Sequence, residues 1–505
     1  MGFKGKTLFF IILFIAISLR LVNLDKGYSS DEGWLLRASE VKTGGLIPFL
    51  SKGRSVYPPL SPFLLGLWRN FSNNEIWVRS YFVSFGIALC LLVYFLGKFL
   101  NGAKFGLLVF FIAAVSPLLI WASQFIRSYV DSSFWVMLSA FFLVKLLKDG
   151  FRFNNILGYI LASTSALYSS YLNIIILFAY NLAVVALYFH RGINFLRKWF
   201  YLQLVIGLMF LPCLSLFLKQ SALATAIDVK WGERGFNILG INIGYYARGV
   251  AALFGMDPAF LALTSFRDKY SLWLLCALAA LAFSIMIYFS LKGISNLCKI
   301  CQEKRIALFF PATSIFSLLI YLILVEVKHF PLQPEYLIAP HILFLFVIAA
   351  ALYSSKNSSK INYVVLGIVS LVMLLRFSEA VKPEFDTKKS SIYLSENAKP
   401  EDCILLIRNT NHYITSDKFR LVSMSSFLNK NSDADMYEPL GNSAKDFLLG
   451  IKTQYKDIWF YRLYGNDEIL GANKLIMDWL SVNGYTLDRI EKLRRVDMIK
   501  YTRED

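Results

Sequence analysis

Long apolar runs, separated by short basic clusters, alternate along most of this chain. A helix needs roughly twenty mostly apolar residues to cross the hydrocarbon core of a bilayer. On that measure spans are expected near 7–24, 77–97, 104–122, 132–148, 154–170, 173–189, 199–218, 270–291, 306–326, 335–353 and 361–378. No small-residue cleavage site follows the first run, so it reads as an uncleaved span. From about residue 380 the apolar runs shorten to strand length and charge rises. Cys403–Arg408, Phe419–Met424 and Ile458–Tyr464 read as strands, and Tyr485–Tyr501 as a final strand pair. Lys388–Asn397, Ser443–Tyr455 and Glu468–Asn483 read as helices. The expected fold is an all-α polytopic membrane bundle of about eleven transmembrane helices over 1–379, followed by a small α/β domain over 380–505. Two long loops, 25–76 and 219–269, carry the apolar stretches Leu60–Phe71 and Ile238–Phe254, which read as helices lying in the interface.

Charge sets the direction of these spans. Only 17% of the 505 residues are charged, against about 25% in a soluble domain. The net charge of +18 is spread through short loops rather than gathered in one patch, which argues against nucleic acid as a partner. With a cytoplasmic N-terminus the inside loops hold Lys98 and Lys104, then Lys145, Lys148 and Arg152, then Arg191, Arg197 and Lys198. Lys292, Lys299, Lys304 and Arg305 follow, and then Lys356 and Lys360. The short outside loops carry little beyond Arg127 and Lys328, so the positive-inside rule places the C-terminal domain outside the cytoplasm. Cys90, Cys213 and Cys276 lie in apolar runs, Cys298 and Cys301 form a lone CxxC, and Cys403 is single, so no disulfide framework is expected.

Acidic residues next to a membrane surface point to function, because burying them in lipid is costly. Asp31 and Glu32 follow the first span, and Arg127 and Asp131 stand before the fourth, on the same outer side. The bland reading is helix capping, for which Ser29, Ser30 and Asp31 are all suited. Four histidines, His190, His329, His341 and His412, show no ligand spacing, and a divalent ion shared among Asp31, Asp131 and His329 is left as an open alternative. The chain has no P-loop and no dinucleotide fingerprint.

Five short motifs occur in order: Tyr28-Ser-Ser-Asp31-Glu32, Tyr57-Pro58-Pro59-Leu60, Trp77-Val-Arg79-Ser80, Ser116-Pro117 and Ser123-Gln124-Phe-Ile-Arg127-Ser-Tyr129. Together they resemble the GT-C membrane glycosyltransferases, in particular the family of protein O-mannosyltransferases and aminoarabinose transferases. The resemblance covers about residues 1–180 by motif and the rest by layout. It implies transfer of a hexosyl or pentosyl unit from a polyprenyl-phosphate donor to an acceptor hydroxyl on the extracytoplasmic side, with inversion. The acceptor would be a lipid, a polysaccharide or a protein, with membrane lipids around it.

By the same resemblance Asp31 is the base, and Glu32 beside it binds substrate or substitutes for it. Such chemistry needs a proton acceptor and positive charge on the departing phosphate. Arg127 is the first candidate for the phosphate because a guanidinium suits bidentate contact; Arg54 is the second, with Arg248, Lys328 and His329 behind them. Tyr57, Tyr129 and Asp131 complete the expected substrate-binding set. The chain departs from the family at Val56-Tyr57, where some relatives carry an acidic residue and Lys, and at Phe125, where many carry an acid. It also reads Gln333-Pro334-Glu335-Tyr336 where many relatives open a late span with Arg-Tyr, so its phosphate site is expected to be built differently. The alternative from another class is a transporter or flippase for a lipid-linked saccharide, which calls for ionisable residues near mid-membrane.

Overall fold

A computed structural model describes residues 3–41, 43–52, 57–228, 237–238, 241–242, 253, 272–328, 333–353, 387–399, 402–406, 420–423, 456–463, 467–493 and 496–503. At some of these positions, Asp31 and Lys328 among them, it describes the backbone path alone. The chain forms two compact bodies, one of residues 1–22 and 38–381, the other of 23–37 and 382–505.

The first body is a helical bundle. Among the described residues six helices are long and apolar enough to cross a membrane, which makes the chain a multi-pass membrane protein. Helix α1 (Phe3–Leu21) is followed by three shorter helices, α2 (Ser30–Glu40), most of which belongs to the second body, α3 (Thr43–Lys52) and α4 (Leu60–Arg69). Helix α5 (Glu75–Val115) starts at Asn74, whose side chain accepts from the Ile76 amide at 2.9 Å. Its path breaks at Asn101 and Gly102, where φ of +76° needs a residue without a Cβ. The two halves fold back on each other: the Tyr94 and Phe110 rings lie 6.0 Å apart, and Gly97 meets Gly106. This 41-residue run therefore holds the two crossings expected near 77–97 and 104–122.

The second of those expected crossings is itself broken. Ser116 is extended and Pro117 cannot donate to the preceding turn, so α6 (Pro117–Gln124) begins anew. Then come α7 (Val130–Asp149), α8 (Phe153–Ser169), α9 (Asn173–Tyr188) and α10 (Ile193–Asp228). Helices α11 (Leu272–Ile300), α12 (Lys304–Lys328) and α13 (Ile338–Leu352) close the bundle. Residues without side chains let helices approach: a Cβ on Gly293 of α11 would fall 2.2 Å from the Val347 carbonyl of α13. The span expected near 361–378 lies outside the described residues. Asn237–Ile238 and Ile241–Asn242 pair as two short antiparallel strands, β1 and β2, so the amphipathic helix expected from Ile238 does not start there. The rest of that expected helix, apart from residues 241–242 and Leu253, lies outside the described residues.

In the second body β3 (Cys403–Leu406), β4 (Arg420–Ser423), β5 (Asp457–Leu463), β6 (Tyr485–Leu493) and β7 (Val496–Arg503) form one sheet in the order β4-β3-β5-β7-β6. β3 is parallel to β4 and β5, while β7 is antiparallel to β5 and β6. Helices α14 (Thr387–Asn397) and α15 (Asp467–Val482) pack on it. Leu394, Ile404, Trp459, Tyr461, Val496 and Met498 form its core. The buried Trp459 indole donates to Asp402 Oδ2 at 2.9 Å, which meets the need of its polar tip. The expected helix at Ser443–Tyr455 lies outside the described residues.

Candidate active site

Three segments of the bundle converge around Arg127. Pro58-Pro59 starts α4 and leaves Tyr57 buried just before it. The Gln220 side chain of α10 donates to the Tyr57 carbonyl at 3.4 Å and to the Leu50 carbonyl at 3.0 Å, which fixes that approach. Between α6 and α7 the chain makes two tight three-residue turns, with the Arg127 amide donating to Phe125 O at 2.8 Å and the Tyr129 amide to Arg127 O at 2.7 Å. The Arg127 guanidinium then lies 5.7 Å from the Tyr57 ring centre and 5.9 Å from that of Tyr129, and donates to Tyr129 Oη at 2.9 Å. Trp121, Phe125 and Tyr129 stack behind it, with centroids 4.7 and 5.7 Å from Trp121.

Asp131 sits two residues further on, buried in the first turn of α7. Its Oδ2 accepts from Ser61 Oγ at 2.6 Å and its Oδ1 from the Ser132 amide at 2.9 Å. The segments 57–61 and 127–131 are thus joined twice, through Arg127–Tyr57 and through Asp131–Ser61. Burial drives the Tyr129 phenol well above its ordinary value, while Arg127 opposes the shift and Glu335, Tyr336 and Tyr57 add to it. Glu335 and Tyr336, in a short turn ahead of α13, therefore belong to the same neighbourhood. A carboxylate stands where the resemblance leads one to look for an arginine.

The acidic pair after the first span belongs to the other body. Asp31 occupies the first turn of α2. Glu32 has a role in that turn: its Oε2 accepts from the Ser29 amide at 2.7 Å, while Ser29 Oγ accepts from the Glu32 amide at 3.4 Å. This reciprocal pair is a capping box, and it satisfies two amides that a helix start leaves without partners. Arg54, Arg248 and His329 lie outside the described residues, and Lys328 closes α12 as backbone only. Among the described residues no group of three His, Cys, Asp or Glu is arranged to hold a metal ion.

Sequence reasoning passed over three contributors. Ser61 was hidden because a serine one position after Pro-Pro-Leu reads as an ordinary helix residue. Gln220 carries no local signal at all. Arg20 sits in an apolar run and looks like a flanking charge, yet it is fully buried. Arg79, in the Trp77-Val-Arg79-Ser80 motif, is also fully buried and donates to the Gln124 carbonyl.

The fold has counterparts of known structure. ArnT from Cupriavidus metallidurans bound to undecaprenyl phosphate matches with a TM-score of 0.56 at 13% identity, over 99% of this chain and 98% of that one. Its apo state matches with the same TM-score at 11% identity, over 98% of each chain. The archaeal oligosaccharyltransferase AglB from Archaeoglobus fulgidus, in complex with an inhibitory peptide and a dolichol-phosphate, matches with a TM-score of 0.50 at 13% identity, over 98% of this chain and 74% of that one. The fold is that of the GT-C membrane glycosyltransferases. No family model and no curated protein matches the sequence.

Proposed function

We propose that this GT-C fold protein transfers a sugar from a polyprenyl-phosphate donor to an acceptor hydroxyl at the extracytoplasmic face of the membrane. The observation that carries this reading is the Arg127 cluster: a guanidinium held by two tyrosine rings, within a fold shared with a protein that binds undecaprenyl phosphate. A guanidinium presents paired donors to phosphate oxygens, so Arg127 is assigned to the lipid phosphate. Tyr57 and Tyr129 hold it in place.

Asp31 is assigned as the base. The acceptor oxygen forms its bond to the anomeric carbon as the bond from that carbon to the phosphate oxygen breaks, with inversion. The acceptor proton passes to the Asp31 carboxylate, and the polyprenyl phosphate departs with the bonding electron pair beside Arg127. A carboxylate at a helix start keeps a low pKa, so its proton transfer comes late in the step and positioning matters most. Asp131 is assigned a supporting part, since both of its oxygens already accept hydrogen bonds.

The test is transfer of labelled sugar from polyprenyl phosphate in membranes, with mannose, glucose, galactose and arabinose donors. Wild type should transfer one of them. Asp31→Asn, inserted normally, should lose at least about a hundredfold in rate, the usual size of a general-base contribution. Wild-type rates in Asp31→Asn would remove Asp31 from the mechanism. Failure of wild-type protein both to transfer any of the four and to bind undecaprenyl phosphate would favour the transporter reading.

A further inference from the structure

Arg20 is a cation buried without a carboxylate partner among the described residues. A charge at zero exposure inside a membrane bundle is costly and calls for full hydrogen bonding. Its guanidinium has it: Nη1 donates to Ala114 O at 3.0 Å and Ala16 O at 3.1 Å, Nη2 to Ala113 O and Cys90 Sγ, both at 3.3 Å, and Nε to Ser123 Oγ at 3.1 Å. The choice of carbonyls has a reason. In an unbroken helix Ala113 O would accept from the amide four residues on, but that residue is Pro117, which has no N–H. Arg20 supplies the donors that the break between α5 and α6 removes, and its charge suits the negative end of α5.

The capping is reciprocal. Gln124, at the end of α6, donates through Nε2 to Arg20 O at 3.0 Å, in the last turn of α1, and to Val22 O at 2.8 Å, directly after it. Its own carbonyl accepts from Arg79. Gly86 leaves room for all of this, since a Cβ there would lie 2.1 Å from Ser123 Oγ and 3.3 Å from Arg20 Nε. The end of α1, the break at Ser116-Pro117 and the end of α6 are thereby tied into one unit. Directly beyond Gln124 run the two tight turns that present Arg127.

We propose that Arg20 and Gln124 are positioning residues: their reciprocal capping of α5 and α1 holds the 125–129 turns so that Arg127 is aimed at the lipid phosphate. This rests on the assignment of Arg127 to that phosphate. The Ser123-Gln124 motif then serves as the clamp that orients the cation without touching substrate.

The experiment is a double-mutant cycle on the full-length protein in nanodiscs, with undecaprenyl phosphate as the probe and hydrogen exchange read on the same samples. In the Arg127 background, Gln124→Leu and Arg20→Gln should each weaken binding about tenfold, and Arg20→Lys, which keeps the charge with fewer donors, by less. In the Arg127→Ala background the same changes should cost less than about twofold, because nothing remains to be aimed. Exchange should rise in 119–129 and 16–22 while α7 to α9 stay protected. Equal losses in both backgrounds, or wild-type binding in Gln124→Leu, would overturn the proposal. If exchange rises throughout Arg20→Gln, that variant has lost its fold and Gln124→Leu alone decides. If wild type fails to bind undecaprenyl phosphate, the assignment of Arg127 fails and takes the aiming role with it. Exchange that rises in 119–129 in that case would show the clamp to be purely structural.

Discussion

At the scale of single residues, Glu32 and Asp131 each have a hydrogen-bonding part to play in the fold. Glu32 accepts a backbone amide, a job that glutamine also does. Glu32→Gln should therefore keep both the melting temperature and transfer activity, whereas Glu32→Ala should cost about 1 kcal/mol of stability, as lost caps usually do. Abolished transfer in a normally folded Glu32→Gln protein would mean that its charge takes part in the chemistry. Asp131 makes a different case. Replacing it with Ala strands the buried Ser61 hydroxyl, and that should cost roughly 1–3 kcal/mol, visible as a lower thermal midpoint. Ser61→Ala in the Asp131→Ala background should recover part of this loss. Additive losses would show that the 2.6 Å contact contributes nothing. None of this was legible from residue types: Asp131 and Ser61 are far apart in sequence, and Asp-to-Ser pairing has no sequence pattern.

At the scale of elements, apolar run length was a good guide because the bilayer imposes it. The runs near 132–148, 173–189 and 306–326 match α7, α9 and α12 within a few residues. The same logic read the strands Cys403–Leu406 and Asp457–Leu463, whose short apolar runs are flanked by charge. It was less informative where a run hides a break. Ser116-Pro117 splits α5 from α6, and the consequence of that split, a buried arginine serving as the missing donor, depends on a helix a hundred residues away in sequence. Gly86→Ala tests this packing. Its Cβ would overlap Ser123 Oγ, so one helix must shift, at a cost of about 1–3 kcal/mol for overpacking. The melting temperature should fall and exchange should rise in 119–124. An unchanged melting curve would mean that α5 and α6 are less tightly apposed than described.

At the scale of the whole molecule, the two bodies obey different physics. In the second body burial acts to raise the Asp457 carboxyl, but hydrogen bonds from Lys500 and Thr502 outweigh it and leave it below its ordinary value. Burial likewise acts to lower Lys500, and Asp457, assisted by Asp488 and Asp402, raises it instead. The lowered Asp457 contributes stability that is present above its unfolded value of about 4 and lost as pH falls through its folded value. The raised Lys500 contributes stability that is complete below its unfolded value of about 10.4 and lost as pH rises through its folded one. Protection of β5 and β7 against exchange, corrected for intrinsic rate, should therefore be flat between about pH 4 and 10 and weaken on both sides. Lys500→Met should remove both edges of that plateau; edges unchanged in the variant would mean that this pair does not set them.

The sequence alone determined that this is a multi-pass membrane protein, because twenty-residue apolar runs with basic flanks have few other uses. It also pointed to the GT-C fold, through five short motifs in order. Only the tertiary structure decided which of the charged residues are partners. Hydrogen bonds between distant segments, Ser61 to Asp131, Arg20 to Ala113 and Gln124 to Val22, depend on how helices pack. Packing in turn rests on shape, on glycines such as Gly86 and on helix breaks such as Pro117, whose meaning appears only when the neighbouring helix is in place.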